Sequence, residues 1–111
     1  MTGNRQYKNN CEKICPIVYA INMIGQKWKI PVLWNIAEYD RMHYNELKRV
    51  LSPITNTVLT RCLRELEEAG LVNRFNYNTI PPSVEYSLTE RGKSLLPTLN
   101  ALYQWGEAQM K

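Results

Sequence analysis

Histidine and aspartate are almost missing from this chain: His43 and Asp40 stand alone among 111 residues. That scarcity leaves no catalytic triad, no metal cluster and no carboxylate pair to assemble, and no glycine-rich phosphate loop is present. A zinc site built from Cys11, Cys15 and His43 would still need a fourth ligand and better spacing. The expectation is therefore a protein that is not an enzyme and carries no cofactor or metal. No apolar run approaches the ~20 residues needed to span a bilayer. Residues Met1 to Asn10 are polar, without the apolar segment of a secretory signal. Three cysteines make an odd count, which in a chain without such a signal points to free thiols in a reducing, cytoplasmic setting.

What is present is the material of one domain. The length falls in the ordinary single-domain range, and 44% apolar residues can fill a core without staples. The net charge of +4 is unevenly spread. Arg5, Lys8, Lys13, Lys27 and Lys29 against Glu12 account for all of it, and the rest of the chain is neutral. Basicity of this kind permits a nucleic-acid partner without establishing one.

Periodicity organises the chain into a flexible polar arm over residues 1–14 and one domain over 15–111. Cys15 to Gly25 reads as a helix, with Pro16 in the first turn and Gly25 as a left-handed stop. It is apolar on nearly every side, so one face should meet another subunit. A second helix spans Lys27 to Glu38, with Pro31 tolerable in its first turn. A short helix over Asn45 to Leu51 turns Leu47, Val50 and Leu51 inward, and Ser52-Pro53 ends it. Thr55 caps a longer helix that stops at Gly70. Residues 71–77 and 84–88 alternate as strands, joined by a loop over 78–83, and make an antiparallel hairpin. Thr89 caps a last helix, kinked at Pro97, with a stripe of Leu95, Leu99 and Leu102. The fold class is α+β and mostly helical: a helix-turn-helix followed at once by a hairpin, which is a winged helix, flanked by helices at both ends.

The helix after Thr55 carries the functional signal. At roughly 100° per residue, with Leu59 at zero, Leu63 falls at about 40°, Leu66 at about 340° and Cys62 at about 300°. Thr57 at about 160°, Arg64 at about 140° and Arg61 at about 200° oppose that stripe, flanked by Asn56 and Thr60. Glu65, Glu67 and Glu68 crowd the far end. A recognition helix meets base edges with its N-terminal residues. Arginine can bind guanine, asparagine can bind adenine, and the hydroxyls of Thr55, Thr57 and Thr60 can bind phosphate or base. The same pattern also describes any solvated helix face. Arg74, just before the wing, and Asn78 and Ser83, flanking its tip, tilt the reading towards double-stranded DNA.

These residues resemble the HxlR-type winged-helix transcription regulators, relatives of the MarR group. The likeness runs from Cys15-Pro16 and Gly25-Gln26-Lys27-Trp28-Lys29-Ile30-Pro31 through Tyr44-Asn45-Glu46-Leu47, where the family usually has phenylalanine in place of Tyr44. It continues over Leu59 to Glu67 and Gly70 to Arg74. Its most specific piece is Pro81-Pro82-Ser83-Val84-Glu85-Tyr86-Ser87-Leu88-Thr89, and it ends at Trp105-Gly106. Ser52 or Pro53 replaces a usual glycine, and Cys11 and Cys62 lie outside the family pattern. The resemblance implies a sequence-specific DNA-binding homodimer that acts on an inverted-repeat operator. It implies dimer contacts from the first and last helices, here Ile17, Ile21, Ile24, Leu99, Leu102 and Trp105. It further implies a response to small electrophiles or oxidants through Cys15.

Cys15 beside Pro16 would sit at a helix N-terminus, where the partial positive charge stabilises a thiolate, or else serve as a buried structural residue. Cys62 lies on the buried stripe and reads as a core residue. The competing function is a winged helix used for protein contact. Such modules tend to lose the exposed arginines, whereas Arg61 and Arg64 are both kept here.

Overall fold

The computed structural model describes residues 15–111; the expected arm over 1–14, with Cys11, lies outside the described residues. The order is α1 (Pro16–Ile24), α2 (Lys29–Tyr39), β1 (Arg41–His43), α3 (Tyr44–Val50), α4 (Asn56–Glu68), β2 (Val72–Tyr77), β3 (Ser83–Leu88), α5 (Glu90–Ser94) and α6 (Leu96–Gln109). The three strands form one antiparallel sheet in the order β1-β3-β2. Mostly helical, with a small sheet and a helix-turn-helix before the hairpin, it is the expected winged helix. No helix among the described residues is long and apolar enough to cross a membrane.

The local chemistry explains the boundaries. Cys15 holds the N-cap position of α1 without a side-chain capping bond, and Pro16 opens the helix, where a missing N–H leaves no bond unmade. Gly25 is not the left-handed stop expected, because its φ of −83° is right-handed. A Cβ there would meet the Ile21 carbonyl oxygen at 2.5 Å, so close approach is what the position demands. The second helix starts at Lys29, two residues later than expected, which puts Pro31 in its first turn. Gly70, at φ 79°, completes a Schellman motif: its N–H donates to the Glu67 carbonyl and the Leu71 N–H to that of Leu66.

Val32, Leu33 and Ile36 of α2, Leu47 of α3, and Leu59, Leu63 and Leu66 of α4 are fully buried and form the centre of the core. Val50 was expected there but is 45% exposed. It lies on the last turn of α3, where the next residue, Leu51, takes the inward position and is buried instead. Strand β1 falls between the two helices that the sequence suggested on either side, where no strand was expected, and pairs the buried Met42 with Tyr86. Ser83 belongs to β3, opposite Tyr77, so the wing loop is residues 78–82. The last helix is two helices, with α5 ending before Leu95 and Pro97 in the first turn of α6. Proline lacks the N–H that a continuous helix would need there. Gly92 of α5 is pressed so closely on the Leu71 carbonyl that a Cβ would collide with it.

Candidate nucleic-acid interface

Helix α4 is held by its own sequence. The Thr55 hydroxyl accepts from the Val58 N–H at 3.2 Å and satisfies one of the free donors of the first turn. Leu59, Cys62, Leu63 and Leu66 are buried, as the helical angles require. Burial pushes the Cys62 thiol up to about 11, against some opposition from the Lys29 ammonium, and a thiol held neutral in this way is inert. On the opposite face Asn56, Thr57, Thr60, Arg61 and Arg64 are all exposed and together line one open depression of about 460 Å³. No carboxylate lines it.

The glutamates at the far end divide. Glu67 and Glu68 are exposed, but Glu65 turns inward and places Oε1 3.1 Å from Nζ of Lys29, whose residue is 5% exposed. The contact is a close charge pair without the alignment of a hydrogen bond. It ties α4 to α2 beneath the exposed face. Nothing local in the sequence signalled it, because a single lysine in an amphipathic helix reads as solvated.

Two further features were missed. Tyr44, at the start of α3, brings its hydroxyl 3.1 Å from Asn56 Oδ1 and 3.1 Å from Thr60 Oγ1. Behind the wing, the Glu85 carboxylate accepts from the Tyr77 hydroxyl at 2.7 Å and from Arg41 Nη1 at 3.4 Å, and lies 3.7 Å from His43 Nε2. The hydrogen bond to Glu85 is the main reason the Tyr77 phenol is pushed up. His43 caps α3, with Glu46 accepting from its main-chain N–H at 2.8 Å. Ser83 flanks the wing loop as expected, paired with Tyr77 at its edge, and its hydroxyl lies 3.2 Å from His43 Nδ1.

Arg74 is exposed on β2 opposite Tyr86, on the sheet face that also carries Met42 and Leu88. Asn78 is exposed in the wing loop. The expected dimer residues separate. Ile24 at 8% and Leu99 at 2% exposure are spent in the protomer's own core and are withdrawn from a partner surface. Ile17 at 65%, Ile21 at 53%, Leu102 at 48% and Trp105 at 65% remain exposed on α1 and α6. Trp34 stacks on Tyr103 with ring centroids 5.2 Å apart and fixes α6 against α2. Cys15 is half-buried at the α1 N-cap.

A model of the HxlR-like helix-turn-helix family matches residues 23–111. An HTH-type transcriptional regulator of Methanothermobacter thermautotrophicus is 47% identical over 96 residues, covering 86% of this chain and 72% of that one. Another, from Halalkalibacterium halodurans, is 42% identical over 103 residues and covers 91% of each. Among solved structures, the redox regulator HypR in its oxidised form superposes with a TM-score of 0.80 at 40% identity, over 85% of this chain and 96% of that one. Its reduced form gives 0.83 at 38%, over 87% and 95%. A winged helix with the polar face of α4 outermost, matched over nearly its whole length by transcriptional regulators, places this chain in the HxlR-like helix-turn-helix family of transcription regulators.

Proposed function

We propose that the protein is a cytoplasmic homodimer that binds an inverted-repeat operator in double-stranded DNA, with α4 of each protomer in the major groove. The observation that carries this reading is the shared exposure of Asn56, Thr57, Thr60, Arg61 and Arg64 on one acid-free face of a helix whose other face is locked in the core. Arg74 and Asn78 add phosphate or minor-groove contacts from the wing. Ile17, Ile21, Leu102 and Trp105 supply the dimer contact, since an exposed apolar set on two helices marks an association surface. Footprinting on fragments that flank the protein's own gene tests the reading. Two protected half-sites about one helical turn apart are expected. A single protected half-site at saturating protein refutes the dimeric reading, and no protection refutes DNA recognition. Arg61→Ala and Arg64→Ala should each cost ~1–3 kcal/mol where the contact is to a base. Where it is to a phosphate, the salt slope should flatten by about one.

Cys15 is the proposed point of control by an oxidant or small electrophile. It sits half-buried at the start of a helix whose exposed side belongs to the dimer surface, and a redox regulator is among the similar structures. Modifying it would change the angle between the two recognition helices. Diamide followed by dithiothreitol should alter operator binding reversibly in the wild type and leave Cys15→Ser unchanged. Identical behaviour of the two proteins makes Cys15 a structural residue.

A further inference from the structure

Tyr44 opens α3, the first helix of the helix-turn-helix, and its ring packs half-buried against the core. Its hydroxyl emerges beside the first turn of α4. There it meets three oxygens: Asn56 Oδ1 at 3.1 Å, Thr60 Oγ1 at 3.1 Å and the Asn56 carbonyl at 3.3 Å. We propose that Tyr44 is a specificity-determining positioning residue, which sets the hydrogen-bonding polarity that Asn56 and Thr60 offer to the bases. The inference rests on the reading of α4 as a recognition helix.

A phenol has one proton to give. The two Asn56 oxygens can only accept, so that proton goes to them. The Thr60 hydroxyl can donate, so it donates to the phenol oxygen. Thr60 is then left with lone pairs alone facing outward and acts as an acceptor. Asn56 keeps its Oδ1 turned to the phenol and presents Nδ2, a donor. The amide can no longer offer both atoms in the paired geometry that reads adenine. Asn56 should therefore favour the acceptor edges of guanine or thymine, and Thr60 the donor edge of cytosine or adenine. Without the phenol both side chains are free to rotate and can match either kind of edge.

The experiment selects duplexes from a randomised pool with the wild type. It then measures competition by every single-base-pair variant of the selected duplex, for the wild type and for Tyr44→Phe. The ring that packs on the core is retained in this substitution. Discrimination should fall by about tenfold at one or two neighbouring base pairs of each half-site, the scale of a lost directional base contact. The other positions and the salt slope should stay as they were. In an Asn56→Ala/Thr60→Ala background the same substitution should have no effect, because Tyr44 acts through those side chains. A selective wild type whose preferences Tyr44→Phe reproduces, or a uniform weakening across all duplexes, overturns the inference and leaves the recognition helix standing. A wild type that binds all duplexes alike overturns both.

Discussion

Removing the Glu65 carboxylate should destabilise the protein more than removing its partner Lys29. The lysine side chain is 6% exposed and the glutamate side chain 30%. Glu65→Ala therefore strands an ammonium between α2 and α4 with little water to solvate it. Breaking a buried pair in this way costs about 3–5 kcal/mol. The partial exposure of the glutamate side places the expected value near the lower end, about 3 kcal/mol. Lys29→Met leaves a carboxylate that water can reach and puts an apolar stem where the lysine stem lay, so the cost should stay below about 1.5 kcal/mol. The double variant Lys29→Met/Glu65→Ala should sit close to Lys29→Met alone, since the stranded charge is gone. A domain stable by only about 5–15 kcal/mol registers such differences clearly. Urea melts followed by circular dichroism measure them, at one fixed protein concentration because association shifts the midpoint. Equal losses for the two single variants, or a double variant as unstable as Glu65→Ala, would refute the assignment of the buried charge to Lys29.

The Cys62 thiol, pushed up by burial from 9.0 to about 11, makes the fold sensitive to alkali. The unfolded chain loses that proton first, so the stability is whole below about pH 9 and declines towards pH 11 by about 2–3 kcal/mol. Cys62→Ala should flatten the decline in urea midpoints across that range, and parallel curves would count against the burial argument. Gly92→Ala drives a Cβ into the Leu71 carbonyl, a main-chain group that cannot swing aside, and should cost about 1–3 kcal/mol; an unshifted urea midpoint would contradict it. Ile21→Asp, on an exposed face, should leave the protomer folded and shift sedimentation from dimer to monomer. Leu99→Ala should instead destabilise the protomer by ~2–5 kcal/mol. If Ile21→Asp remains dimeric, α1 does not form the interface.

Periodicity alone determined the part of the protein that its own helices and turns encode. The stripe of Leu59, Cys62, Leu63 and Leu66, the opposing Asn56, Thr57, Thr60, Arg61 and Arg64, the Thr55 cap and the hairpin all follow from residues within one or two turns of each other. A helical repeat tells which side of a helix is apolar. It does not tell what covers that side. Ile21 and Ile24 look alike in the sequence, as do Leu99 and Leu102, and only packing put Ile24 and Leu99 into the protomer core and left the other two outside. Tertiary structure likewise decided that Lys29 meets Glu65, that Arg41 and His43 form a strand beside β3 and converge on Glu85, and that the Tyr44 hydroxyl reaches Asn56 and Thr60. Each of these joins polar groups from separate elements. Such contacts arise from how elements dock, and a local pattern of apolar and polar residues carries no record of that distance.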